Sequence, residues 1–303
     1  MSIKNAVKNL VSHFGLVWSM LVYYLLFAAL ITGLSLPFIM PVMRELSDAG
    51  VFTELKAAYD ALFGEGGFTV FTDKFYEAYQ ALTGVFTDND AVAALTVWFF
   101  VLIVVIAFRF FLGLHEIPMM TVIDGAMSCN CIYGFGGKFF STLWLSVRYS
   151  FAKLLVTVLI DAVIGGIAYG IILAVGNNWA LPFVLTLVMV VLSALRSTLL
   201  SCWASCIVNE GHGVARGFFR AAKIAFRNFG AIYSMLLVSI LIMLSLGAFI
   251  TLFTLGVGMI IILPLFSAYT GYLNATMYCN KLGKRYYVDG DVFTPIIKEN
   301  SVI

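Results

Sequence analysis

Two charged residues stand in stretches where charge is expensive. Asp161 lies inside the apolar run 151–175, and Arg196 lies inside the run 181–207. An acid and a base in such places can carry a proton or ion, act as counter-ions to a charged substrate facing a polar cavity, or pair with each other and fix helix register. An unpaired charge at mid-span costs at least about 2.5–3.5 kcal/mol on insertion scales, so pairing is expected. The connection 176–180 is short, which makes the two runs antiparallel neighbours with Asp161 and Arg196 at similar depths. Arg109, shallower in the run 91–112, either joins them or snorkels to headgroups. Gly165, Gly166 and Gly170 follow Asp161 and permit either close helix contact or a bend.

A second constellation is basic. Arg216, Arg220, Lys223 and Arg227 recur at helical spacing, with Val214, Phe218, Ala225 and Phe229 opposite. A helix with one basic and one apolar face lies in the membrane interface, so these four cations are expected to touch lipid headgroups.

A third is sulfur-rich. Cys129, Cys131, Cys202, Cys206 and Cys279, with His115 and His212, fall near one face of the membrane. Soft ligands of this kind suit zinc or copper(I), but no two CxxC pairs occur and Cys is also a small packing residue, so no metal is expected. His115-Glu116 and Asp124 offer isolated acid/base groups. Gly-x-Ser-x-Gly, His-Glu-x-x-His, P-loop and Rossmann motifs are missing, and the expectation is a protein without a catalytic centre or cofactor.

The elements that position these residues are six apolar stretches, about 16–36, 91–112, 151–175, 181–207, 230–253 and 259–278. Each has roughly the 20 residues that a helix needs to cross a hydrocarbon core of about 30 Å. Composition agrees: 62% hydrophobic, 11% charged, mean hydropathy +1.00. Continuous apolar runs exclude a transmembrane β-barrel, so the expected fold is an all-α six-span bundle forming a single membrane domain, 1–303. A net charge of +2 gives no argument for nucleic acid.

Charge distribution sets the expected topology. Residues 44–90 hold nine acids and three bases. Bases gather at Lys4 and Lys8, around Arg109, Lys138, Arg148 and Lys153, at 216–227, and at Lys281, Lys284, Arg285 and Lys298. The positive-inside rule puts those regions and both termini in the cytoplasm of a plasma membrane, and 44–90 outside. The outer segment reads as a helical hairpin, with Phe52, Leu55, Tyr59 and Leu62 on one apolar face and Phe71, Phe75, Ala78 or Tyr79, and Leu82 on another, divided by Gly64, Gly66 and Gly67. Pro37 and Pro41 are expected to end span one, and Asp90 to cap span two. No cleaved signal peptide is expected, and the cysteines are expected to be reduced.

The sequence also matches itself. FGLVWSMLV at 14–22 and FGAIYSMLL at 229–237 share one pattern. Each follows a helical stretch with apolar residues at matching positions: Ile3, Val7, Leu10 and Phe14, then Phe218, Ala222, Ala225 and Phe229. A weaker copy gives Phe140, Trp144, Val147 and Phe151. The implied unit is a surface helix, a span out and a span back, used three times; such repeats often place a site at their interface.

The basic helix Val214–Phe229, the Asn228-Phe229-Gly230 junction and the same arrangement at the N-terminus resemble a group of bacterial six-span proteins. That group includes the membrane domain attached to some glycerophosphodiester phosphodiesterases. The resemblance implies an envelope membrane protein handling lipid or a small solute. The chain has no soluble phosphodiesterase domain, so that catalytic activity does not carry over. The expected function is transport or handling of a small solute or lipid, with Asp161 and Arg196 polarising the path. The alternative is an accessory or scaffold subunit of a membrane complex with a protein partner.

Overall fold

The computed structural model describes residues 2–63, 67–131, 133–176, 180–254, 256 and 258–295. Gly64, Glu65, Gly66 and Lys298 lie outside the described residues, as does the side chain of Leu62. The chain is helical almost throughout. In order come α1 (Ser2–Ser12), α2 (Gly15–Asp48), α3 (Val51–Phe63), α4 (Gly67–Asp88) and α5 (Asp90–Phe99). A π-helix (Phe100–Phe108) leads into α6 (Arg109–Leu114), α7 (Glu116–Cys129), α8 (Phe135–Ser141) and α9 (Leu143–Val175). Then follow α10 (Leu181–Leu200), α11 (Trp203–Glu210), α12 (Val214–Arg227), α13 (Phe229–Phe253) and α14 (Met259–Leu282). A hairpin of β1 (Tyr286–Val288) and β2 (Asp291–Phe293) follows them.

Among the described residues, six helical stretches are long and apolar enough to cross a bilayer: Gly15–Asp48, Asp90–Cys129, Leu143–Val175, Leu181–Glu210, Phe229–Phe253 and Met259–Leu282. This is a polytopic all-α membrane protein. Its contacts divide it into two units, Met1–Leu25 with Phe110–Ile303, and Leu26–Arg109.

In the first unit, α14 is the central helix, with much of its apolar stretch buried, whereas the most apolar stretch of α9 contains no buried residue. The core is built from Met20, Ile117, Ile123, Tyr149, Trp203 and Tyr272, with α7, α11 and α14 in its middle. Gly271 permits the α14–α7 approach: a Cβ there would stand 2.7 Å from Ile123 Cδ1 and 2.8 Å from Met119 Cε. The returning spans end alike, each followed by a left-handed residue: Asn130 (φ 50°), Gly211 (φ 64°) and Gly283 (φ 66°). The two-residue turn between β1 and β2, Asp289-Gly290, has positive φ at both positions, which suits an Asp-Gly hairpin.

The surface helix α1 turns part of its apolar stripe and several polar residues inward, with Leu10 buried and Ile3 packed on the core. Its buried face is Ser2, Asn5, Ala6, Asn9 and Leu10, while Val7 and Phe14 point outward. Asn5 Nδ2 donates to the Tyr286 hydroxyl at 2.9 Å, and that hydroxyl donates to Asn280 Oδ1 at 3.0 Å. Asn280 Nδ2 donates to Ser2 Oγ at 2.8 Å. Burial pushes the Tyr286 phenol above its ordinary range. The amides face inward because polar groups need partners there, and the apolar residues face outward because a bilayer welcomes them. The same holds at α8 and the start of α9, where Phe140, Trp144 and Phe151 are exposed.

In the second unit, α2 continues through Pro37 and Pro41 to Asp48, so neither proline ends the span. Pro deletes one amide donor, yet without water to compete the rest of the ladder holds. Asn89, one residue before Asp90, is the cap: its side chain accepts from the Val92 N–H at 3.3 Å. The hairpin of α3 and α4 buries Val51, Ala58 and Ala78, not its aromatic faces; Phe52, Leu55, Tyr59, Phe75 and Tyr79 are exposed. Small residues let the two backbones approach, which bulky rings would prevent. Lys74 bridges Glu54 at 3.4 Å and Glu77 at 2.6 Å. The hydrogen bond from Lys74, and then its charge, hold Glu77 below the usual carboxylate range.

Candidate functional site

Asp161 and Arg196 come together. Arg196 Nε lies 3.0 Å from Asp161 Oδ1, between α9 and α10. The N–H is not aimed along that line, so Nε is buried without a directed hydrogen bond and the contact is chiefly one of charge. The protein leaves 36% of the arginine and 23% of the aspartate side chain uncovered. Gly165, Gly166 and Gly170 have open space where a Cβ would stand, and α9 runs unbroken through them, so they mediate no close helix contact among the described residues. Arg109 opens α6 at the end of the π-helix and belongs to the second unit.

A second ion pair lies in the first unit. The return span breaks between α6 and α7 at His115, which places Glu116 at the first position of α7. Glu116 Oε1 pairs with Lys153 Nζ of α9, and Oε2 accepts the Tyr149 hydroxyl at 2.6 Å. Lys153 and Tyr149 are one helical turn apart, so a single face of α9 grips both oxygens of one carboxylate. Beside it, His115 Nε2 lies 2.8 Å from Ser267 Oγ of α14. The imidazole is flanked by Tyr23 and Tyr24, with ring centroids at 5.3 and 5.5 Å. Ser150 Oγ, buried nearby, has no hydrogen-bond partner among the described residues. The sequence reading sees Glu116 only as an isolated acid. The available signal is the polar stripe Tyr149, Lys153, Thr157 and Asp161 along α9, spaced by four.

A third polar group forms where α11, α12 and α14 meet. Glu210 Oε1 accepts the Tyr278 hydroxyl at 2.8 Å, while Oε2 lies 2.9 Å from His212 Nε2 and 3.3 Å from Arg220 Nε. Arg220 therefore turns toward Glu210, while Arg216, Lys223 and Arg227 are exposed. Of the residues opposite the basic stripe, Ala225 is buried, Val214 and Phe218 pack on the core, and Phe229 is exposed. Gly217 seats α12 on α11, since a Cβ there would meet Ile207 Cγ1 at 2.7 Å.

The cysteines do not assemble. Cys202, Cys206 and Cys279 are buried in the core, Cys129 is exposed, and all five are free thiols. Among the described residues no three His, Cys, Asp or Glu side chains come together as a metal-ligand group. Asp124 accepts a hydrogen bond from Ser128 at 2.8 Å on its own helix. Tyr133 lies over Gly125 with Lys138 Nζ 4.0 Å from its ring centre. The nearby Cys131, as a potential negative charge, is the largest influence raising the Tyr133 phenol above its ordinary range. No family profile, curated protein or solved structure matches the chain.

Proposed function

We propose that this protein transports or handles a small solute or lipid in a bacterial-type plasma membrane, with both termini cytoplasmic, 44–90 outside and no catalytic centre. The observation that carries the reading is the incompletely covered Asp161–Arg196 pair between two apolar spans. A pair that served only as a register pin gains most when protein seals it. Here a charged surface is left open, and hydrocarbon is a poor neighbour for it. A polar path beside α9 and α10 meets that need. The threefold recurrence of surface helix and two spans supports an internal repeat, the architecture in which such paths are often built. The resemblance to bacterial six-span envelope proteins points the same way.

The accessory-subunit reading has one observation in its favour: α3 and α4 present Phe52, Tyr59, Phe75, Tyr76 and Tyr79 outward, a surface suited to a protein partner. Native mass spectrometry of the protein released from lipid nanodiscs separates the two. A solute or lipid retained at fixed stoichiometry, and lost in Asp161→Asn with folded yield intact, supports the path. A reproducible protein partner, with Asp161→Asn lowering only stability, replaces it with the accessory role.

A further inference from the structure

The junction of α11, α12 and α14 gathers more positive charge than it balances. Among the described residues its one directly bonded carboxylate, Glu210, is shared among Tyr278, His212 and Arg220. Lys284 reaches that carboxylate only through a phenol, with Nζ donating to the Tyr278 hydroxyl at 3.1 Å. Among the described residues Lys284 has no carboxylate partner of its own. The Arg220 contact is incomplete as well: Nε is buried, lies 3.3 Å from Glu210 Oε2 and makes no directed hydrogen bond. The site is not sealed, with 37% of the His212 and 31% of the Arg220 side chain uncovered.

We propose that this junction binds a phosphate-bearing anion, with Arg220 and Lys284 as its two charges and His212 at its open rim. The Glu210–Tyr278 pair fixes the spacing between the charges: the carboxylate orients the guanidinium from one side, and the phenol orients the ammonium from the other. An arginine fork plus a lysine point charge is a recurrent phosphate receptor. The anion supplies the charge the junction lacks, which makes this a different role from the broad headgroup attraction of a basic helix face. That broader face continues outward from the junction as Arg216, Lys223 and Arg227, flanked by the exposed rings of Phe219 and Phe226. The phosphate could belong to a lipid headgroup or to a free anion. The inference does not depend on a transport path at Asp161.

The test uses the full-length protein in a neutral detergent. Thermal unfolding is followed while inorganic phosphate, phosphatidylglycerol or phosphatidylcholine is titrated in, and native mass spectrometry counts retained lipid. Stabilisation by phosphatidylglycerol alone assigns a lipid headgroup; stabilisation by inorganic phosphate as well assigns a free anion. Either result supports the site if Lys284→Met and Arg220→Gln each weaken binding about fivefold, the worth of one cation near a membrane phosphate. Lys223→Gln, which changes the outer basic face, should weaken it less. Should Arg220→Gln unfold, Lys284→Met decides alone, since its removal strands no carboxylate. Equal stabilisation by phosphatidylcholine and phosphatidylglycerol, no stabilisation by any of the three, or wild-type binding in Lys284→Met overturns the proposal.

Discussion

Asn9 and Asp289 meet across 280 positions of sequence: the Asp289 backbone N–H donates to Asn9 Oδ1 at 3.1 Å. The same amide group donates from Nδ2 to the Tyr287 carbonyl at 3.1 Å, so one side chain of α1 reads the edge of β1 as a neighbouring strand would. Asn9→Ala leaves a half-buried donor and acceptor unpaired, at about 1–3 kcal/mol. Asn9→Asp keeps the acceptor but sets a buried carboxylate against the Tyr287 carbonyl and close to Asp289, so its loss should be at least as large. Thermal unfolding orders the variants, and amide exchange at Asp289 reports whether the contact opened.

The α1–hairpin contact should resist neutral and mildly alkaline pH and loosen at strongly alkaline pH. Tyr286 is raised by burial, so its contribution is complete below the unfolded tyrosine value of about 10 and is lost as pH rises through the higher folded value. Protection factors of α1 amides, which divide out base-catalysed intrinsic exchange, should fall on the alkaline side only. In Tyr286→Phe that alkaline transition should vanish; its persistence would assign it to another group.

Glu116 should be worth more than its neighbours. Glu116→Gln strands Lys153 and weakens the Tyr149 bond together, costing about 3 kcal/mol at most for a pair that remains partly accessible. Tyr149→Phe removes one hydrogen bond, about 1 kcal/mol. A melting-temperature series in which Tyr149→Phe is the worse variant contradicts this reading of the site.

Two glycines test packing. Gly217→Ala drives a methyl into Ile207 Cγ1, a branch held close to the backbone, and should cost about 1–3 kcal/mol. Gly271→Ala meets Ile123 Cδ1 and Met119 Cε, both chain ends that can swing aside, and should cost less. The ranking is read from folded yield and thermal midpoint.

Asp161→Asn should destabilise more than the double variant Asp161→Asn/Arg196→Gln, because the single change leaves a lone guanidinium between spans. A coupling of about 1 kcal/mol in a double-mutant cycle is expected for a pair that is a third uncovered. Additive single effects would mean that the two charges do not act on each other.

How much of this was legible depends on which solvent each residue answers to. The spans were, because twenty apolar residues in a row have few other fates, and Asp161 and Arg196 were, because a charge in such a run demands a partner. The faces of α1 were not. The stripe Ile3, Val7, Leu10 and Phe14 marks an amphipathic helix without saying which side the protein covers, and the inward groups include Asn5 and Asn9, whose partners lie near the far end of the chain. Pro37 and Pro41 misled for a related reason, since a helix in lipid has nowhere else to send its amides. Glu116 went unrecognised because its partners, Tyr149 and Lys153, are 33 and 37 positions away and form no motif with it.

The tie between α1 and the β hairpin also sets a timetable. α1 is made long before α14, β1 and the amides and carbonyls that satisfy Asn5 and Asn9 exist. During synthesis the inward face of this first helix must therefore spend its polar groups on water at the membrane surface. The first span has earlier partners of its own, since Tyr23 donates to the Phe111 carbonyl at 2.6 Å. The tie between α1 and the hairpin thus closes only after the segment carrying Tyr286 has been made.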